Sequence, residues 1–392
     1  MSSAAARPGQ PRSTPFAVEH EFFAACAPGL EAVLHGEAQA LRLSRVERQV
    51  GGVRFVGAMA DAERANLWLR TAVRVLLKLA RFEARDADAL YAGAAAVDWE
   101  PYLSADRTFV VVARSKESRL DHTLFVEQRV KDAVADAFRA RRGARPCVSK
   151  ESPDLSIHVH LFRDRATLLA DTSGGSLHKR GWRRFQGRAP LAETLAAGIV
   201  LLSEWDRRSP FLDPFCGSGT LLVEAALVAG GVAPGLFRER FAFEGFAGHD
   251  AARWGRMREE ARLAAAIPPR LVLRGWDSDP SAVAGALENA LSAGLEGKVA
   301  IEAADARDFS PRRGWNGLVA SNLPYGERVL DERDLGPLFD AFGAALRERA
   351  AGFRYALLSG NRALEVRLGL APARVVPMRN GALDCRLLAG QI

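Results

Sequence analysis

Apolar residues recur along this chain with two periods, and the alternation between them lays out its elements. Residues 22–25 (Phe-Phe-Ala-Ala) read as a short buried strand. Pro28-Gly29 reads as the start of a helix with Leu30, Val33, Leu34 and Ala38 on one face. Residues 45–49 and 53–56 read as strands around the Gly51-Gly52 turn. The run 60–79, with Leu67, Leu69, Val73, Leu76 and Leu77, reads as a helix, and Asp86-Ala87-Asp88 opens another through Leu90 and Tyr91 that ends near Trp99. Thr-Phe-Val-Val-Val-Ala at 108–113 is a buried strand, followed by a polar loop over 114–119. From about Thr123 to Arg142 the helical period returns, with Val126, Val130, Ala133, Val134, Ala137 and Phe138 on one face and Arg129, Lys131, Arg139, Arg141 and Arg142 on the other. Residues 156–161 and 166–171 pair as a hairpin with Arg163-Asp164 in its turn.

Beyond this point strands and helices alternate singly. A helix over 190–205 leads to a short strand, 210–212, and an amphipathic helix with Leu222, Val223, Ala226 and Leu227 as its apolar positions. Strands over 271–276, 299–303 and 317–321, with a helix over 281–293, complete a pattern of parallel strands in a doubly wound sheet. Four glycines within 174–188 mark a linker between the halves, and 230–267 looks inserted, carrying Trp254 and an Arg-rich helix. The first 15 residues, rich in Ala, Ser, Pro and Arg, read as a disordered tail.

Composition changes this picture only slightly. With 392 residues, 48% hydrophobic and 26% charged, the chain is an ordinary globular one with room for two or three domains. The net charge of +7 favours a polyanionic partner. Cys26, Cys147, Cys216 and Cys385 are too scattered for a metal site or a disulfide framework. That spacing fits a reducing compartment, so a cytoplasmic protein without metal is expected. No apolar run reaches about 18 residues, so no membrane partner is expected either.

The chemistry sits at strand ends. Phe-Leu-Asp-Pro-Phe-Cys-Gly-Ser-Gly-Thr at 211–220 is a strand ending in an acid, a glycine turn and a helix start, which together cradle a nucleotide-type ligand. No Lys follows the turn, against a P-loop, and Leu222 stands where a dinucleotide fingerprint needs a third glycine. Asp213, Pro214, Cys216, Gly217, Ser218, Gly219 and Thr220 instead resemble motif I of class I S-adenosylmethionine-dependent methyltransferases. The next strand ends in Asp277-Ser278-Asp279, where an acid can accept ribose hydroxyls. The third ends at Asp305-Ala306, placed for an adenine amino group, and the fourth runs into Asn322-Leu323-Pro324-Tyr325. That last tetrapeptide resembles the Asn/Asp-Pro-Pro-Tyr motif of amino-methyltransferases. A base amine is a poor nucleophile because its lone pair is delocalised. The Asn322 amide oxygen and the main-chain carbonyl at Pro324 can accept its two hydrogens and localise that pair, while Tyr325 stacks on the flipped base. Two basic stretches, 139–150 and 178–185, interleave Lys179, Arg180, Trp182, Arg183 and Phe185 in a way that suits phosphate contact with base stacking, and Lys116 joins the helix arginines as an RNA contact.

The ordering of the first half resembles a THUMP RNA-binding domain behind a ferredoxin-like unit. With residues 213–226, 322–328, the Arg-Gly-Trp-Arg linker and Arg-Asn-Gly-Ala-Leu-Asp-Cys at 379–385, nearly the whole chain resembles the bacterial RlmL-type 23S rRNA guanine-N2 methyltransferases. The resemblance implies a tail over 1–15, a ferredoxin-like unit over 16–55, a THUMP domain over 56–171, a linker over 172–188 and a Rossmann-like class I methyltransferase domain, with a mostly parallel seven-stranded sheet, over 189–392. It implies S-adenosylmethionine as cofactor, 23S rRNA or a large-subunit assembly intermediate as partner, and a monomer. Asp213, Gly217 and Gly219 would line the methionine moiety, Asp277 the ribose, Asp305 the adenine, and Asn322, Pro324 and Tyr325 the guanine. Leu323 departs from the family's usual Pro and leaves the target base open, since Asn-Leu-Pro-Tyr also occurs in rRNA adenine dimethyltransferases. Larger relatives carry a second, fused methyltransferase domain, so a single activity is expected of this chain. A THUMP-dependent tRNA guanine-N2 methyltransferase and a non-catalytic assembly factor remain alternatives. A DNA adenine methyltransferase is disfavoured by the RNA-binding layout.

Overall fold

The computed structural model describes residues 19–187, 189–324 and 332–392. The 1–15 tail therefore lies outside the described residues. The first half comprises β1 (His20–Cys26), α1 (Glu31–Ala40), β2 (Ser44–Gln49), β3 (Gly52–Gly57), α2 (Met59–Trp68), β4 (Ala72–Glu83), α3 (Ala87–Ala95), β5 (Thr108–Lys116), α4 (Thr123–Arg142), β6 (Cys147–Val148), β7 (Leu155–Phe162) and β8 (Arg165–Asp171). All eight strands join one sheet in the order β2-β3-β1-β4-β8-β7-β5-β6.

Two expectations fail here. Residues 60–79 are not one helix: α2 stops at Trp68, and β4 begins four residues later. The Glu37 carboxylate takes the backbone N–H groups of Arg70 (2.8 Å) and Thr71 (3.0 Å), which turns the chain out of the helix. Beyond that turn, Leu77 is paired with Phe22 of β1 on one side and Ala170 of β8 on the other. Sheet pairing on both edges overrides a spacing that also suits a helix. The second failure is the polar loop at 114–119. β5 continues to Lys116, in parallel register with β7 as far as Phe162. By contrast α4 spans the expected residues, capped by the His122 ring and closed by Gly143 at φ 65°.

The second half comprises α5 (Glu193–Leu202), β9 (Phe211–Asp213), α6 (Thr220–Ala229), 3-10 turns at Pro234–Phe237 and Ala242–Gly245, α7 (Ala251–Ala264), β10 (Leu273–Asp277), α8 (Pro280–Ser292), β11 (Ala300–Ala303), a 3-10 turn at Ala306–Asp308, β12 (Leu318–Asn322), α9 (Glu332–Arg349), β13 (Arg354–Ser359), α10 (Arg362–Arg367), β14 (Arg374–Asn380) and β15 (Leu383–Gln391). Its sheet has seven strands in the order β11-β10-β9-β12-β13-β15-β14. The first five run parallel, and β15 is antiparallel to both of its neighbours. This is the Rossmann-like class I methyltransferase architecture. The strand order reverses between β9 and β12, and ligands of such sheets bind at the carboxyl ends beside that reversal. The helix after the glycine turn is not amphipathic: Thr220 through Val228 of α6 are all buried. It is covered on both sides, with α5 packed over it.

The segment 230–267 fastens the two halves together. Phe241, Phe243, Phe246 and Trp254 enter the same core as Phe22, Phe55 and Phe109 of the first sheet. Trp254 stands edge-on to Phe243 with ring centroids 5.0 Å apart. Arg253 of α7 forks onto the buried Glu63 carboxylate of α2 at 2.7 and 3.1 Å. Among the described residues no helix is long and apolar enough to cross a membrane, and no cluster of metal-ligating side chains occurs.

Candidate active site

The site forms where β9, β10 and β12 end side by side. Asp213 closes β9 and is 1% exposed. Its carboxylate accepts from the Phe215 N–H (3.2 Å) and the Ser321 hydroxyl. Burial pushes the Asp213 carboxyl up to about 7, the neighbouring Asp277 adds to the rise, and the Ser321 and Phe215 hydrogen bonds oppose it. The turn that follows needs its glycines: Gly217 has φ 51° and Gly219 φ 73°. A Cβ on Gly219 would lie 3.1 Å from the Ala286 methyl of α8, whereas one on Gly217 would meet nothing within 4 Å. Gly217 thus presents bare backbone on an open side, as a cradle for a close-lying ligand must.

Asp277 ends β10, and its Oδ2 takes the Gly217 N–H at 2.9 Å while Oδ1 takes that of Asp279 at 3.0 Å. Ser278 is exposed beside it. Asp279 caps α8 through the Ser281 N–H at 2.8 Å. Pro214 and Cys216 are buried, and burial holds the Cys216 thiol well above its ordinary range, so it is a neutral packing group. Ser218 and Thr220 turn their hydroxyls to Arg183 (3.0 and 2.9 Å) rather than to open space. Asp305 caps the 3-10 turn that begins at the buried Ala306, and hydrogen bonds from the Arg307 side chain hold its carboxyl below the usual range.

Asn322 is the last residue of β12, across the strand reversal from Asp213. Its Oδ1 is buried with no hydrogen-bond partner among the described residues. Leu323 donates its N–H to Leu358 O (2.9 Å) and buries its side chain among Leu335, Phe339 and Phe342. The departure from Pro therefore lies on the core side of the strand, where a proline would lose a sheet hydrogen bond. Pro324 is half-buried at the site. Tyr325, with the rest of 325–331, lies outside the described residues.

The expected RNA contacts divide. Trp182 is 1% exposed and cannot stack on a base. Arg180 is 2% exposed, donating to the buried Glu224 of α6 (3.3 Å), to Leu177 O (2.9 Å) and to Arg70 O. Arg183 is held by Glu193 at 2.7 Å, and Phe185 packs onto Gly285 of α8. Arg180 and Trp182 turn into the interior between the halves, and Arg180 and Arg183 meet acids there, while Lys179 and Arg184 stay exposed. The partner acid Glu224 stands 44 positions from Arg180 in sequence, which charge pattern alone could not reveal. On α4, Arg129 pairs with Asp88 (2.7 Å), Arg139 with Asp136 (2.6 Å), Arg141 with Asp98 (2.7 Å) and Arg142 with both oxygens of Glu100 (2.9 and 2.8 Å). Lys116 lies on an exposed strand end with Glu117 at 3.8 Å. Lys179, Arg145 and Lys150 are exposed, with no ion pair among the described residues.

Three residues of the site carried no sequence signal on their own: Ser321, Arg183 as a support, and Asn289. Asn289 is completely buried in α8 and binds both the linker and the glycine turn. A lone amide on the apolar face of a helix was the available hint.

Residues 180–389 match the family described as the RMKL-like methyltransferase domain, 84–171 the THUMP domain and 21–76 the RlmL ferredoxin-like domain. The ribosomal RNA large subunit methyltransferase K/L of Pseudomonas aeruginosa is 42% identical over 95% of this chain. The chain spans about half the length of the curated relatives it matches, 53% of this one. The structure of SMU.472 complexed with SAH is 33% identical, covering 95% of this chain and 98% of its own, with a TM-score of 0.87. A Listeria monocytogenes protein described as a predicted N6-adenine-specific DNA methylase is 31% identical over 95% and 96%, with a TM-score of 0.85.

Proposed function

Since the chain belongs to the RMKL-like methyltransferase family, we propose that it transfers a methyl group from S-adenosylmethionine to the exocyclic N2 amine of a guanine in 23S rRNA. One observation carries the reading: a buried acceptor, Asn322 Oδ1, with no hydrogen-bond partner among the described residues, beside a glycine turn that can take a ligand. A stranded buried acceptor costs roughly 1–3 kcal/mol, and a donor arriving with substrate removes that cost. The base amine is such a donor.

The residues present suit the cofactor. The turn at Gly217 offers open backbone, Asp213 can face the methionine ammonium, and Asp277 the ribose hydroxyls. When bound, S-adenosylmethionine supplies an electrophilic methyl on a cationic sulfur. The rest belongs to the chain. Asn322 Oδ1 accepts one amine hydrogen, and the Pro324 carbonyl accepts the other. This turns the nitrogen lone pair out of the ring plane as the transition state develops. The proton departs after transfer, so no general base is required. The rRNA substrate is supported by the P. aeruginosa relative's name, and delivery of the RNA by the THUMP match.

A second reading is N6 methylation of adenine, favoured by Asn-Leu-Pro-Tyr and by the Listeria neighbour's description. The burial of Leu323 in the core removes the tetrapeptide's weight for adenine, because the side chain that differs packs inward and so sets neither base. Nucleoside mass spectrometry of 23S rRNA and tRNA from a strain lacking the gene decides. Loss of one N2-methylguanosine from 23S rRNA is the expected result, whereas loss from tRNA, or loss of N6-methyladenosine, would replace it.

A further inference from the structure

Within itself the glycine turn is closed by the Gly219 N–H donating to Cys216 O at 2.8 Å and by the Ser218–Thr220 hydroxyl contact at 3.1 Å. Two of its residues are left-handed glycines, which restrict the backbone least. The second half of the turn is gripped from outside. Arg183 donates through Nη1 to Ser218 Oγ at 3.0 Å and through Nη2 to Thr220 Oγ1 and Leu191 O, each at 2.9 Å. Its Nε donates to Glu193 at 2.7 Å, and its guanidinium lies over the Trp182 ring at 5.3 Å. Asn289 closes the ring of bonds. Its amide donates to Ser218 O at 2.9 Å, and its oxygen accepts the N–H groups of Arg184 (2.6 Å) and Phe185 (2.9 Å). Glu193 and Asn289 are both buried, so neither tether is exchanged for water.

The geometry points to Arg183 as a positioning residue for the methyl-donor site, acting through the Ser218 and Thr220 hydroxyls to hold the turn in its ligand-ready shape. This rests on the reading that the turn binds S-adenosylmethionine. Arg183 acts through these groups of the chain rather than as a ligand contact. Its contribution is to the fraction of molecules whose turn is already in the binding conformation, and apparent affinity scales with that fraction. The planar fork matters: a lysine keeps the charge opposite Glu193 but cannot reach two hydroxyls and a carbonyl at once.

The test is calorimetric titration of S-adenosylhomocysteine into the full chain. Arg183→Lys is expected to raise Kd about tenfold, with kcat at saturating S-adenosylmethionine within about threefold of the parent and RNA affinity unchanged. Ser218→Ala leaves the Arg183–Glu193 pair in place and should raise Kd in the same direction. The double variant should bind no more weakly than the worse single variant, because the two act in series. An unchanged Kd in folded Arg183→Lys overturns the proposal, as does a double variant whose loss equals the product of the single losses. A parent chain that binds rRNA but shows no saturable S-adenosylhomocysteine binding would instead sink the cofactor reading on which the proposal stands.

Discussion

Asp213 shows how much can hang on a single side chain. Its folded pKa, about 7, lies above the ordinary carboxylate value. The sign follows from linkage: its neutral form fits the fold, so its contribution to stability is intact below about pH 4 and is lost as pH rises through 7. Asp213→Asn should therefore melt higher than the parent at pH 8 and show little difference at pH 4, read by calorimetry. A cationic ligand reverses the preference by favouring the carboxylate. S-adenosylhomocysteine affinity should rise about tenfold between pH 6 and pH 8, with proton release on binding, and Asp213→Asn should abolish that dependence. Asn322→Ala should lower kcat by at least about 100-fold, the size of effect that removing one transition-state acceptor or donor produces, while leaving S-adenosylhomocysteine affinity unchanged. The placement of Asp213, Asp277 and Asn322 at neighbouring strand ends was legible because each closes an apolar strand in a repeating pattern. Arg180, Trp182 and Arg183 were misread as RNA contacts because a basic-aromatic run looks the same whether it faces solvent or buried acids. Only Glu193 and Glu224 distinguish the two cases.

At the scale of elements, the glycine turn and α6 form a unit whose backbone is as specified as its side chains. Gly219→Ala would force a Cβ at φ 73° against Ala286. A destabilisation of about 1–3 kcal/mol is expected from the backbone conformation, read as a lower urea midpoint with unchanged slope. Elements with local causes could be read from the chain: α4 has its own cap and a C-terminal glycine. β4 could not, because its state is decided by β1 and β8, distant in sequence and paired on either side of it. Likewise the helical period of α6 was visible, but the layer that buries its outer face was not.

At the scale of the molecule, the contact between α7 and α2 ties the C-terminal half to the N-terminal one. Arg253 is 31% exposed but Glu63 only 1%, so removing the cation leaves a buried acid without its main partner. Arg253→Ala should cost roughly 1–3 kcal/mol, with the two halves then unfolding in separate transitions by calorimetry, while Arg253→Ala combined with Glu63→Leu should recover most of that loss. The segment from 230 to 267 looked like an insertion without a purpose, since nothing in its own sequence names the surface it covers.

That segment also bears on how a nucleotide is selected. Its aromatic residues share one core with the N-terminal sheet, and Arg180 and Trp182 anchor the linker between the halves, so among the described residues the place where RNA would be gripped is tied to the place where a base would be methylated. The protein would then work as a ruler. The modified position would be set by a fixed span along the folded RNA, and lengthening the intervening helix by one base pair should move the methyl group to a different nucleotide or abolish transfer, rather than let the original base be found again.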